Sequence, residues 1–392
     1  MVELLKAKQE PEVISFGTRP LPAPSRLISG LKPYDAVSSL DTISQLPAGL
    51  SPLKLDWNES VIPPSPRVID EITRFLKNSH HINWYPDLGA AKLRKTLVAY
   101  TGVPAEDIIV TNGSDDALSL VVCSYVDPGD DVVLVWPTYG HFLVYCRGRG
   151  VEPRLAMPED PFDTPTRTLT RTLRQDTKLC YIASPNNPTG VVTPPDHIQE
   201  LCGEFRSTLF IVDEAYFEFC GVTSARLVGK IPNLVVTRTF SKCLSMAGLR
   251  VGYLMASGEV MTNLRRLYNP KSVNVLGQVG AAAALLDYEF ISNYVSECRV
   301  GRTWVVQALA ERGVDVRSTS GNFILVRLTD PAGFCRKLES VGVFVRDRSG
   351  IKDFEGYVRI TIGPVDYMKE FIRRLDMLRV ENPDLLTPWS QD

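Results

Sequence analysis

The chain lacks the marks of several broad protein classes. Its four histidines, His80, His81, His141 and His197, show no ligand spacing, and no metal is expected. The eight cysteines (Cys123, Cys146, Cys180, Cys202, Cys220, Cys243, Cys298 and Cys335) are scattered, with no Cys-x-x-Cys pair. That excludes a zinc knuckle or a disulfide framework as the organising feature and points to a reducing compartment. Lys and Arg total 43 against 45 Asp and Glu, a net charge of −2 with no basic stripe. A nucleic-acid surface is therefore not expected. No apolar run approaches the roughly 20 residues of a membrane helix; Ala281–Leu286 is short and reads as part of a packed helix. The first ten residues, Met1 to Glu10, lack the apolar centre of a secretion signal, so a cytoplasmic location is expected. No internal repeat or low-complexity tract is present.

What is there is a 392-residue chain with 44% hydrophobic and 22% charged residues, ordinary for a globular protein and long enough for two domains. Residues 1–50 are rich in Pro and Ser and read as an extended N-terminal arm. Strand patterns then alternate with helical ones: Ile108–Thr111, Asp131–Val135, Lys178–Ala183, Leu209–Asp213, Leu234–Arg238 and Gly252–Ala256 against Gly89–Thr101, Asp115–Val126 and His197–Phe205. This alternation predicts an α/β fold with a mostly parallel, helix-covered sheet. A smaller α+β unit follows, with strands at Asn322–Val326 and Val358–Ile362 and helices at Asp330–Val341 and Met368–Arg379. The division expected is an arm over 1–50, a large domain over 76–288, and a small domain built from 51–75 and 289–392.

The chemistry concentrates in four stretches. Thr237-Arg238-Thr239-Phe240-Ser241-Lys242 is followed eight residues after the lysine by Arg250. A lysine amine can form a Schiff base with the aldehyde of pyridoxal phosphate. The hydroxyls of Thr239 and Ser241 and the guanidinium of Arg250 suit its phosphate. Upstream, Phe210-Ile211-Val212-Asp213-Glu214-Ala215-Tyr216 reads as a buried strand delivering an acid to a sheet edge. A carboxylate there can hold a pyridine nitrogen protonated. Further upstream, Ser184-Pro185-Asn186-Asn187-Pro188-Thr189-Gly190 is a strand running into a turn. The Asn187 amide and the Tyr216 hydroxyl can bond the cofactor's phenolic oxygen from two sides. Gly113-Ser114-Asp115 follows a strand and opens a helix, whose backbone N–H groups suit a phosphate.

These stretches resemble the fold-type I pyridoxal-phosphate aminotransferases of class I/II, and among them the histidinol-phosphate aminotransferase branch. The resemblance runs from Leu31-Lys32-Pro33-Tyr34 to about Leu378. It includes Leu55-Asp56-Trp57-Asn58-Glu59, Trp84-Tyr85-Pro86-Asp87, Pro137-Thr138-Tyr139 and Tyr357-Val358-Arg359-Ile360-Thr361-Ile362-Gly363. It implies pyridoxal 5′-phosphate as cofactor, with Lys242, Asp213 and Tyr216 catalytic. It also implies that Tyr139 stacks on the ring and that Ser114, Asp115, Ser241 and Arg250 form the phosphate cup. Tyr85 would reach the phosphate from a neighbouring subunit, which implies a homodimer. Arg359 would bind the substrate's carboxylate or phosphate, with Arg346, Tyr34 and Asn58 further out. The amino donor would be an amino acid or an amino-alcohol phosphate, and the acceptor a 2-oxo acid such as 2-oxoglutarate. Two departures bear on the donor. Branch members read Asn-Glu-Asn-Pro where this chain has Asn58-Glu59-Ser60-Val61, and Trp57 is bulky for its place. An aromatic or basic amino acid as donor, or another reaction on the same scaffold such as decarboxylation, elimination or oxidation, therefore stays open.

Overall fold

The computed structural model describes residues 23–31, 38, 40–47, 49–79 and 81–389. Within the arm it shows a short helix, Leu40–Ser44, where the sequence predicts only extended chain. Next comes β1 (Leu53–Lys54). The central sheet follows: β2 (Ile108–Thr111), β3 (Val132–Val135), β4 (Arg154–Ala156), β5 (Leu179–Ala183), β6 (Leu209–Asp213), β7 (Leu234–Thr239) and β8 (Gly252–Met255). Their order across the sheet is β2-β8-β7-β6-β5-β3-β4. Only β8 runs against its neighbours; the other pairs are parallel. Most of these strands are buried along their whole length, because helices cover both faces and β-branched residues fill them.

Alternation sorts the strand residues between two cores. Leu209 and Ile211 of β6, Tyr181 of β5 and Val235 of β7 face one; Phe210, Val212 and Val236 face the other. Register then fixes the carboxyl-terminal edge: Ala183 pairs with Asp213, Asp213 with Thr237, and Gly252 with both Thr111 and Thr239. Strand ends and the start of β8 thus meet at one place.

The second sheet is antiparallel, in order β12-β13-β10-β9, from β9 (Asp315–Ser318), β10 (Phe323–Arg327), β12 (Arg346–Asp347) and β13 (Tyr357–Thr361). Helices Tyr288–Ala310, Pro331–Ser340 and Val365–Glu381 accompany it. β1 pairs in parallel with β11 (Val343–Phe344), and the Thr361 amide donates to the Leu55 carbonyl. This stitching carries residues 55–58 across to the edge of the central sheet. Buried Arg374 locks it, bonding the carbonyls of Ser51 and Val341. Among the described residues no helix is long and apolar enough to cross a membrane.

Candidate functional site

At the end of β6, Asp213 is buried and its side-chain partners are two hydroxyls. Tyr181 donates to Oδ2 at 2.9 Å and Thr237 to Oδ1 at 3.1 Å. Burial pushes its pKa up from 3.8 to about 6, and the Tyr181 and Thr237 hydroxyls pull it partly back. A buried carboxylate so placed suits a cationic N–H donor on an aromatic ring. Tyr181 is itself fixed by stacking on Phe142, with centroids 4.1 Å apart.

Next to it lies an anion cradle. Gly113 has φ of 84° and precedes the helix Ser114–Tyr125. A Cβ on Gly113 would stand 2.7 Å from Nη2 of Arg250, and one on Gly252 would stand 2.5 Å from both the Gly113 carbonyl carbon and the Ser114 nitrogen. Gly252 is therefore required by close approach to backbone, and Gly113 by its positive φ. Thr239 donates to Ser241 Oγ at 3.0 Å, and Arg250 Nη1 donates to the same oxygen at 3.5 Å. Arg250 adopts a left-handed φ of 54° and pairs with Asp115 at 3.2 Å. Asp115 also accepts from the Tyr139 hydroxyl at 2.8 Å. A helix N-terminus, two hydroxyls and a guanidinium converge as a phosphate requires.

The third wall carries the amine. Lys242 Nζ donates to the Trp57 carbonyl at 2.8 Å and lies 5.9 Å from the centre of the Tyr216 ring. The Tyr216 hydroxyl accepts from Asn58 Nδ2 at 3.1 Å. Asn58 is buried in a left-handed turn (φ 54°), held by Thr361 and Asn322. Arg359 Nη1 donates to Asn187 Oδ1 at 2.6 Å, and its other arm donates to the Asp56 carbonyl. That leaves Asn187 Nδ2 as the atom able to donate towards a bound phenolic oxygen. Arg348 Nη2 reaches the same Asn187 oxygen at 3.4 Å, and Arg346 stands opposite Arg359 across the β12–β13 pair. Beside Ser241 a cavity of about 260 Å³ opens between Gly248 and Tyr367 on one side and Lys54 and Glu59 on the other. The Lys54 ammonium bonds Asp56 at 3.1 Å and Glu59, and lies 4.3 Å from the centre of the Trp57 ring.

The structure thus gathers Lys242, Asp213, Tyr216, Asn187, Tyr139, Ser114, Asp115, Thr239, Ser241, Arg250, Asn58, Arg346 and Arg359 around one cleft. Tyr85 stands apart from it, exposed at the surface under the Lys271 ammonium at 5.1 Å. Tyr34 lies outside the described residues. The sequence reading missed Tyr181, Thr237 and Arg348. Tyr181 and Thr237 carry a readable signal: each is a hydroxyl two residues or fewer from the end of a strand whose neighbour ends in Asp213. Among the described residues no group of three or more His, Cys, Asp and Glu could hold a metal ion.

A carboxylate for a ring nitrogen, a phosphate cradle and a lysine amine between them fit a phosphorylated pyridine aldehyde. A family model, aminotransferase class I and II, matches residues 51–375, and the chain belongs to that family, whose cofactor is pyridoxal 5′-phosphate. Its likeness is to the histidinol-phosphate aminotransferases and their relatives. The chain is 30% identical over 362 residues to a histidinol-phosphate aminotransferase from Carboxydothermus hydrogenoformans, covering 90% of this chain and 98% of that one. It is 35% identical over 322 residues to a dihydroxyacetone phosphate transaminase from Campylobacter jejuni, covering 81% and 87%. The fold matches the crystal structure of histidinol-phosphate aminotransferase from Sinorhizobium meliloti in complex with pyridoxal-5′-phosphate, with a TM-score of 0.80 at 24% identity over 93% of this chain and 100% of that one.

Proposed function

We propose that this protein is a transaminase moving an amino group between a donor with an anionic group, of the histidinol-phosphate kind, and a 2-oxo acid such as 2-oxoglutarate. The observation that carries this reading is the bond from Arg359 to Asn187. It ties a guanidinium suited to a carboxylate or phosphate to the residue beside the cofactor ring, with Lys242 on the same cleft. Arg346 and Arg348 add positive charge there. The relatives named above include a dihydroxyacetone phosphate transaminase, so phosphorylated compounds other than histidinol phosphate belong among the donors tested.

When bound, the cofactor supplies an aldehyde to carry the amino group and a ring to accept electrons. The chain's residues do the rest. Lys242 would hold the cofactor's aldehyde, and its Nζ, 2.8 Å from the Trp57 carbonyl, is the base that would take a proton from the donor's α-carbon and give it back. Asp213 keeps the ring nitrogen protonated, and Tyr216 and Asn187 hold the phenolic oxygen. Tyr139 covers the ring face. Ser114, Thr239, Ser241 and Arg250 hold the phosphate, with Asp115 orienting both Arg250 and Tyr139. Asn58 lines the donor side. We place these groups on a large domain (76–288) over which a small domain (51–75 and 289–392) closes, with an arm over 1–50. The working unit is a homodimer: Tyr85 sits in an exposed apolar strip with Ile82, Trp84 and Leu88, and a second copy would cover that strip and bring Tyr85 to its phosphate. Eight free cysteines accord with a reducing cytoplasm.

The test mixes the coloured protein with histidinol phosphate, other phosphorylated amines, and aromatic and basic amino acids. Loss of the visible band with an anionic donor, restored by 2-oxoglutarate, is the expected result. A band that persists while carbon dioxide or ammonia is released would replace transamination with decarboxylation, elimination or oxidation.

A further inference from the structure

Behind the cleft, on the opposite face of the central sheet, lies a buried ion pair. Arg238 of β7 is 2% exposed and Glu214, just past β6, is 1% exposed. Their closest approach is 2.9 Å, and Arg238 Nε also donates to Glu214 Oε2 at 3.0 Å. Glu214 further accepts from the Thr223 hydroxyl at 2.8 Å and from the Ser224 amide. Arg238 donates to Thr223 at 2.6 Å and to the Tyr253 hydroxyl at 3.4 Å, and its guanidinium lies 3.4 Å from the centre of the Phe217 ring.

A buried ion pair is weak support for stability, since an apolar pair of similar volume often serves as well. Its position here is what matters. Glu214 follows Asp213 and stands two residues before Tyr216. Arg238 stands between Thr237, which bonds Asp213, and Thr239, which opens the phosphate cradle. Tyr253 follows Gly252, the residue packed on Gly113 and Ser114. Phe217 follows Tyr216. One guanidinium therefore joins the three segments that deliver the ring-nitrogen carboxylate together with Tyr216, the lysine loop and the phosphate cradle, and touches none of the cleft itself.

We propose that Arg238 and Glu214 are positioning residues that set, from the reverse face of the sheet, the separation between Asp213 and the Thr239–Lys242 loop, and so the grip on the cofactor. This rests on the cofactor and not on the donor, so a negative donor screen leaves it standing. The other titratable groups facing the pair are Glu218, Cys220, Tyr100 and Tyr253, with Cys243 beyond Glu218. Burial pushes the Glu218 carboxyl up to about 7, and Tyr100 donates to it at 3.3 Å.

The experiment compares wild type with the double variant Arg238→Met/Glu214→Gln, which removes both charges while nearly keeping volume, and with Glu214→Gln alone. Each cofactor-free protein is melted, then titrated with pyridoxal phosphate, and the visible band is followed against pH. The double variant should melt close to wild type but bind pyridoxal phosphate about tenfold more weakly. The pH midpoint of its band should rise by about one unit, because a less firmly protonated ring nitrogen lets the Lys242 nitrogen keep its proton to higher pH. Glu214→Gln should move both readouts the same way by less, and it carries the test if the double variant does not fold. A wild-type binding constant and midpoint in whichever variant folds would overturn the proposal, whatever the melting temperature.

Discussion

Asp213, at the end of β6, and Arg359, in the middle of β13, are both buried charged residues and both face the same cleft, yet they are held in different ways. The partners of Asp213, Tyr181 and Thr237, lie 32 and 24 residues away on the two adjacent strands. Those of Arg359, Asn187 and the Asp56 carbonyl, lie 172 and 303 residues away, on the central sheet and on the segment after β1. Parallel strand register alone fixes the first. The second needs two sheets and the segment stitched between β11 and β13 to be in place together. The cofactor side is thus rigid by local construction, whereas the donor side depends on how the smaller sheet is seated. A family can keep the first and vary the second, which agrees with relatives named for different phosphorylated compounds.

The comparison can be broken at several points, and the largest effect belongs to Lys242. Lys242→Ala should lower turnover by about 10⁴-fold or more, with the circular-dichroism spectrum unchanged. Retention of full activity would remove the lysine from the mechanism and the comparison with it. Asp213→Asn should lower kcat/KM by about 10²- to 10³-fold at pH 8. Its pH dependence has a defined sign. The pKa is raised to about 6, so the ionised form that holds the ring nitrogen exists above pH 6 and is lost below it. The gap in pyridoxal-phosphate affinity between wild type and Asp213→Asn should therefore narrow as the pH falls through 6; a gap constant from pH 5 to 8 would contradict this.

Arg359→Lys sharpens the contrast between the two sides. It keeps the charge and loses the fork, so kcat/KM for an anionic donor should fall about 10- to 100-fold. Cofactor affinity, measured separately, should change far less. Equal losses in both would show that the two regions are not separable. The smallest effect is expected at Arg348, half-buried with a long 3.4 Å bond to Asn187. Arg348→Ala should cost a few-fold in kcat/KM, in keeping with one weak contact to a shared oxygen. A loss as large as that of Arg359→Lys would make Arg348 a principal anchor for the donor.

Most of the central strands were legible because they are apolar, β-branched runs between turn residues, and β7 because it opens on one, Leu234-Val235-Val236. Ile108–Thr111 and Leu209–Asp213 form with the predicted bounds, and the others differ by a residue or so at an end. β4 and β9 escaped because strands of three and four residues, partly exposed, are too short to show a period. β1, β11 and β12 are two residues each and exist only through their pairing. The same distinction runs through the site. Arg348 sits in an Arg-Asp-Arg turn that reads as solvated charge until the Asn187 turn is brought against it. Trp57 reads as an oversized side chain; its backbone carbonyl is what meets Lys242.

By itself the sequence determined the nature of the cofactor and pointed to residues suited to its phosphate and ring. The residues concerned lie at strand ends and tight turns, where short-range geometry already settles the backbone and only certain side chains can serve the chemistry. The tertiary structure alone decided two things. It brought Asn58, Asn187 and Arg359 together across two sheets, because closing such long loops is possible only once both cores are packed. And it closed Glu214, Tyr253 and Phe217 around the Arg238 guanidinium, because those residues come from two other segments that meet β7 only when the sheet is assembled.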